Sequence, residues 1–214
     1  MSWERQLERF LSENLPDLRS EVSDNLAAFG REVLKWNRST NLITRKDPER
    51  TLIRLLVDSL FLLNVIEGEE AFLDIGAGAG FPSVPVLLCS RTWGILAEVR
   101  KRRAVFLNHI LHTLRIDRAS VVEQAVSPES ELMSRKFDCL WSKAGIPLDE
   151  LVACGERCLR RGGKIIIFHS MEGKKTRENL KRLLERHGFS LPLFQLFSWP
   201  ELYLTRTVVI CRKL

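Results

Sequence analysis

Leu73-Asp74-Ile75-Gly76-Ala77-Gly78-Ala79-Gly80-Phe81-Pro82 is the stretch that decides the fold. It leaves an apolar strand, Ala71 to Ile75, passes through glycine at every second position, and enters an apolar helix, Pro82 to Cys89. Glycine has no side chain, so a strand-to-helix turn built from it lets a ligand approach the backbone closely. The helix that follows turns its free N–H groups toward the same place. The spacing narrows the ligand. A dinucleotide fingerprint, G-x-G-x-x-G, needs a third glycine where Phe81 stands. A phosphate-binding P-loop ends in Gly-Lys-Ser/Thr, which is also absent. What remains is G-x-G-x-G with an acid, Asp74, two residues ahead of Gly76.

Downstream, short apolar runs alternate with amphipathic helices. Gly94 to Val99 reads as a strand, and its Glu98 lies 22 positions after Gly76. An acid there can accept hydrogen bonds from two ribose hydroxyls; pairing with Arg100, Arg102 or Arg103 is the competing reading. Lys101 to Leu114 is a helix with Val105, Leu107, Ile110, Leu111 and Leu114 facing in. Ser120 to Gln124 is a strand, and Gln124-Ala125-Val126-Ser127 follows where an adenine edge would be reached. Phe137 to Ser142 and Lys164 to Phe168 are further strands, with helices over Leu148 to Leu159 and Gly173 to His187. Pro192 to Trp199 and Tyr203 to Arg212 come last with no helix between them, which predicts an antiparallel hairpin at the sheet edge. The alternation predicts an α/β fold with a doubly wound, mostly parallel sheet.

Upstream, residues 1–70 are expected to be helical. Trp3, Leu7, Phe10, Leu11 and Leu15 recur at helical spacing, as do Val22, Leu26, Phe29, Val33, Leu34 and Trp36; Asn37 to Thr40 breaks the pattern. Asp47-Pro48-Glu49 starts a third helix, with an Asp cap and proline at the first helical position. Two units are therefore expected, a helical extension over 1–70 and the sheet domain over 71–214.

With 214 residues, 45% hydrophobic and 28% charged, the chain is neither disordered, collagen-like nor a coiled-coil rod. Its net charge of +6 is unevenly spread: −3 over residues 1–70, +1 over 71–150 and +8 over 151–214. A polyanionic partner is to be sought on the last third, and a solvated basic face competes with that reading. Five scattered cysteines without C-x-x-C make a poor metal site and are expected to be reduced thiols. The N-terminus lacks a basic run followed by an apolar core, and Leu52 to Ile66 carries Arg54 and Asp58, so a cytoplasmic protein without a membrane span is expected.

The glycine turn with its preceding acid resembles the first motif of class I S-adenosylmethionine (SAM) methyltransferases. A glycine-rich turn in an unrelated α/β protein competes. Other anchors are more specific: Trp36-Asn37…Asn41-Leu42, Asp47-Pro48-Glu49, Asp58-Ser59-Leu60, Lys101-Arg102-Arg103…Phe106-Leu107 and Phe137-Asp138…Ser142-Lys143-Ala144. With the turn, they make the chain from about Trp36 to Phe168 similar to the bacterial small-subunit rRNA methyltransferase G family (RsmG/GidB). The resemblance implies a Rossmann-like seven-stranded sheet with an N-terminal helical extension. It implies methyl transfer from SAM, leaving S-adenosylhomocysteine, to N7 of a guanine in 16S rRNA, as naked RNA or within the small subunit. A monomer is expected, with no metal. Cofactor contacts are expected from Asp74, Gly76, Gly78, Gly80, Phe81, Glu98, Val126, Ser127 and Lys143. RNA contacts are expected from Arg45, Lys46, Arg100 and Lys143. A weakened SAM- or RNA-binding protein, or a SAM methyltransferase of another substrate, are the alternatives. The chain departs from the family pattern at Lys143 for arginine, Ser83 for glycine, Leu55 for histidine, Ser127 for an acid, and Phe168-His169-Ser170 for Leu-Lys-Gly. Guanine N7 carries a free lone pair, so no general base is required. Lys143 is the candidate contact, and His109, His112, His169 and His187 need no catalytic role.

Overall fold

The computed structural model describes residues 1–143, 145–168 and 174–214, without the side chain of Lys174. The expectations for Ala144, His169, Ser170, a helix start at Gly173 and the Lys174 side chain lie outside the described residues.

Three helices come first: α1 (Trp3–Asn14), α2 (Ser20–Thr40) and α3 (Pro48–Leu60). Trp3, Leu7, Phe10 and Leu11 of α1 and Leu26, Phe29 and Val33 of α2 are buried as their spacing marks, while Leu15, Val22, Leu34 and Trp36 are partly buried. The Asp47 side chain caps α3 by accepting from the Arg50 N–H at 3.2 Å, with Pro48 in the first turn. The expected break at Asn37 to Thr40 is wrong. Helix α2 continues to Thr40 and ends at Asn41, whose φ of 50° is left-handed. Asn37 is buried, and its Oδ1 accepts from the Ile43 N–H at 2.9 Å, so it folds the next loop back against the helix rather than ending the helix.

The sheet is then built by β1 (Ala71–Ile75), α4 (Ser83–Cys89), β2 (Trp93–Ala97), α5 (Lys101–Thr113), β3 (Ala119–Val122), β4 (Phe137–Ser142), α6 (Leu148–Cys158), β5 (Leu159–Ile167), α7 (Lys174–Arg186), β6 (Leu193–Trp199) and β7 (Leu204–Arg212). Strand order is β3-β2-β1-β4-β5-β7-β6. The first five strands are parallel, and β7 enters antiparallel beside β5, with β6 at the edge. The expected closing hairpin is thus present. Strand β5 begins at Leu159, earlier than expected, because Leu159 pairs with Phe137 and an irregularity then absorbs the Arg160–Gly163 segment before Lys164 pairs with Cys139.

Helices cover both faces. Helices α1 to α5 share one apolar cluster with one face of the sheet, and α6 and α7 share another with the opposite face. In the first cluster Phe10 meets Phe61 and Trp199 edge to face, at ring distances of 5.7 and 4.9 Å. Helix α1, the connection after α3 and the end of β6 therefore converge on one aromatic group. At the amino end of the sheet the buried Lys164 donates to the Val65 carbonyl at 2.6 Å and sits 3.1 Å from Glu70 Oε1. That tie fastens the end of the helical region to the central strands. Among the described residues no helix is long and apolar enough to cross a membrane.

Candidate methyl-donor cleft

In a parallel α/β sheet, ligands bind beyond the carboxyl ends of the strands, where strand order reverses. Here β1 lies between β2 and β4, and a cleft of about 300 Å³ opens at their carboxyl ends. The glycine turn forms its floor. Gly76 and Ala77 donate their N–H groups to the Ala97 carbonyl at 2.8 and 3.0 Å, which fastens the turn to β2. Gly76, Gly78 and Gly80 have φ of 79°, 60° and 84°, a region that disfavours side chains. The three glycines do different things. A Cβ on Gly76 would stand 2.7 Å from Gly145 Cα, so its missing side chain admits the loop after β4. A Cβ on Gly78 would meet nothing closer than 3.7 Å, so that position opens onto the cleft. A Cβ on Gly80 would strike Val84 at 2.7 Å, in the packing of α4.

The loop after β4 is held by one hydroxyl. Ser142 Oγ donates to the Ile75 carbonyl at 2.7 Å and accepts from the Gly145 N–H at 2.9 Å. This bridge sets Lys143 and Gly145 against the glycine turn. Opposite, buried Glu98 accepts from the Gly78 N–H through Oε2 and from the Arg100 N–H through Oε1, each at 2.8 Å. A carboxylate has about four acceptor sites, so both oxygens keep capacity for a ligand hydroxyl.

Of the expected cofactor residues, Gly76, Gly78, Phe81, Glu98 and Lys143 line the cleft together, joined by Arg100 from the expected RNA set. Gly80 supports the turn from behind. Asp74 does not reach the cleft. It is wholly buried; Ser83 Oγ donates to its Oδ2 at 2.5 Å and Trp141 Nε1 donates to Ser83 Oγ at 3.1 Å. Burial pushes the Asp74 carboxyl up from 3.8 to about 7, against the opposing pull of the Ser83 bond. Ser83 is thus the hydroxyl partner of Asp74. Val126 and Ser127 are also absent from the cleft wall. Val126 packs in the second core cluster, and Ser127 is occupied in its own turn, its N–H donating to Ser130 Oγ at 2.8 Å. Arg45 and Lys46 are exposed on the loop after α2, next to Leu42 and Ile43, which do line the cleft.

Leu42, Ile43, Leu55, Val99 and Arg103 are cleft residues that the sequence reading did not select. Arg103 is the informative one. Its Nη2 donates to the Asn41 carbonyl at 3.2 Å, joining α5 to the end of α2 across the cleft mouth. The Trp-Asn…Asn-Leu element was visible as a motif; that it closes on the basic run after β2 was not. Among the described residues no group of histidine, cysteine and acids is arranged to hold a metal.

Comparison with known proteins agrees with this architecture. The model of a family described as rRNA small subunit methyltransferase G matches residues 23–197. The ribosomal RNA small subunit methyltransferase G of Syntrophotalea carbinolica is 27% identical over 98% of both chains, and that of Neisseria gonorrhoeae is 29% identical over 92% of both. Among solved structures, a methyltransferase from Pyrococcus furiosus superposes with a TM-score of 0.61 at 16% identity, covering 89% of this chain and 98% of its own. TYW2 of M. jannaschii in complex with AdoMet gives 0.57 at 15% identity over 74% of each chain, a likeness of fold. The chain belongs to the rRNA small subunit methyltransferase G family.

Proposed function

We propose that this protein transfers a methyl group from SAM to N7 of a guanine in 16S rRNA, in the bacterial cytoplasm. The observation that carries the reading is the cleft itself, in which the glycine turn, Glu98 and Lys143 converge at the carboxyl ends of β1, β2 and β4 in a chain of this family.

The residues fit a nucleoside carrying a sulfonium. Glu98 keeps free acceptor capacity for ribose hydroxyls, while Leu42, Ile43, Phe81 and Val99 supply apolar walls. Gly78 leaves its side-chain space open. When bound, SAM supplies an electrophilic methyl. The chain's own work is to position, because N7 needs no deprotonation. Orienting the nucleophile in line with the departing sulfur converts an encounter into an effectively unimolecular step. Lys143 and Gly145, the latter tied through Ser142 Oγ to the Ile75 carbonyl, form the edge against which the base would be aligned. Arg45, Lys46 and Arg100 lie at or beside the rim, and the RNA backbone is their natural partner.

Calorimetric titration with SAM and S-adenosylhomocysteine tests the reading. Both are expected to bind one site. Gly76→Val is expected to abolish binding by driving the loop after β4 off the turn. Absence of binding by the wild type, or unchanged affinity in the variant, would remove the assignment.

A further inference from the structure

Asp58 is a buried carboxylate on α3, its side chain 5% exposed, and the cleft chemistry does not use it. Two cations from distant segments, the loop after β4 and strand β7, close on it. Lys143 Nζ donates to its Oδ2 at 3.2 Å. Arg206 Nε, from β7, donates to the same oxygen at 3.2 Å and stands 3.1 Å from Oδ1 without hydrogen-bond geometry, so Oδ1 is buried without a hydrogen bond among the described residues. One turn earlier on α3, Arg54 has a buried Nε with no hydrogen-bond partner among the described residues. Among the described residues two cations therefore share this one carboxylate, an excess of positive charge, even though burial pushes the Lys143 amine down against the pull of Asp58.

Its place in the fold makes that excess useful. Strand β7 runs antiparallel to β5, with Val209 opposite Ile167, so Arg206 lies beyond the carboxyl end of β5. That is the end of the sheet where the cleft opens. Lys143 lines the cleft, whereas Arg206 does not; its side chain is 42% exposed. Nε is engaged by Asp58 and Nη1 donates to the Thr205 carbonyl at 3.1 Å, which among the described residues leaves the remaining N–H groups of the fork for a partner. Lys143 also lies 5.8 Å from the ring centre of Phe168. Asp58 thus fixes two cations side by side, one in the cleft and one just outside it. A planar fork beside a point charge suits a phosphodiester, because guanidinium engages phosphate oxygens two at a time.

We propose that Lys143 and Arg206, held by Asp58, form a phosphate subsite that grips the RNA strand beside the target guanine. Asp58 is the positioning residue and Arg206 the contact. The identity of the ligand rests on the RNA-methyltransferase reading above. The oxyanion is assigned to RNA rather than to the carboxylate of the methyl donor because Arg206 lies outside the cleft wall.

The test compares wild type, Arg206→Gln and Arg206→Lys by SAM titration, by binding of a 16S rRNA fragment at several salt concentrations, and by thermal melting. Arg206→Gln is expected to keep SAM affinity within about twofold, to weaken RNA binding about tenfold, and to lower the log–log salt slope by about 1. Arg206→Lys is expected to restore the slope and only part of the affinity. Unchanged RNA affinity and slope in Arg206→Gln would overturn the proposal. So would weakened SAM binding with the RNA slope unmoved, which would hand the guanidinium to the methyl donor. Should Arg206→Gln fail to fold, Arg206→Lys retains the ion pair, and RNA affinity equal to wild type in that variant would refute a forked phosphate contact. A wild type that does not bind SAM would defeat the earlier reading, while the salt slope would still report on the subsite.

Discussion

Asp74 lies wholly buried beneath the glycine turn, at the end of the central strand β1. Its spacing before the glycines marks it as part of the cofactor turn. Its carboxyl is instead sealed under that turn against Ser83 and Trp141. Burial raises its pKa from 3.8 to about 7, so the folded state takes up a proton that the unfolded chain releases. Stability from this group is present in full below about pH 4 and is lost as pH rises through about 7. Asp74→Asn removes the titration. The stability difference between Asp74→Asn and wild type is expected to move in favour of the variant by up to roughly 4 kcal/mol between pH 4 and pH 8. Urea denaturation across that range checks this, and a difference that stays flat would contradict it. The place of Glu98, Gly76 and Gly78 in the cleft was legible because it follows from residue type and from position at a strand end. Arg206 was not, since its partner Asp58 lies 148 residues away in sequence. Pair formation at that range depends on how β7 inserts beside β5, which no local pattern encodes.

At the scale of elements, periodicity and turn signals located the seven α-helices and seven strands among the described residues, but they missed the short 3-10 turns at Phe61–Asn64, Glu131–Ser134 and Pro200–Leu202, turned Val105 inward where it is exposed, and erred at element ends. Helix α2 outlasts its apolar pattern because Asn37 satisfies the Ile43 N–H and Asn41 adopts the left-handed turn. Strand β5 starts early because Leu159 finds Phe137 across the sheet. In the first case a loop folded back on its own helix, and in the second a cross-strand contact, overrides the apolar pattern. The helical extension was legible as helices; its fusion with the sheet was not. Phe10 on α1 packs on Phe61 and Trp199 within the cluster that also holds α4 and α5. Phe10→Ala is expected to cost about 3–5 kcal/mol, read as one earlier melting transition of the full chain. Two separate transitions, with the second unshifted, would show that the extension and the sheet do not share a core.

For the whole molecule, the charge of +8 on residues 151–214 acquires an address through Arg206, which that segment delivers to the cleft mouth from β7. Arg45, Arg100 and Arg103 come to the same rim from the other two thirds of the chain, and Arg100 and Arg103 line the cleft itself. The fold thus assembles basic residues from segments of very different net charge around the cleft at the carboxyl ends of β1, β2 and β4. The central claim is that this cleft delivers a methyl group to guanine N7 in rRNA. The most direct measurement incubates purified protein and isotopically methyl-labelled SAM with small ribosomal subunits, or their naked 16S rRNA, from cells lacking this protein, followed by nucleoside mass spectrometry. The expected result is labelled 7-methylguanosine at a single 16S rRNA position, absent when Gly76→Val replaces the wild type. SAM binding with no label in rRNA, or label confined to another atom or nucleoside, would contradict the account.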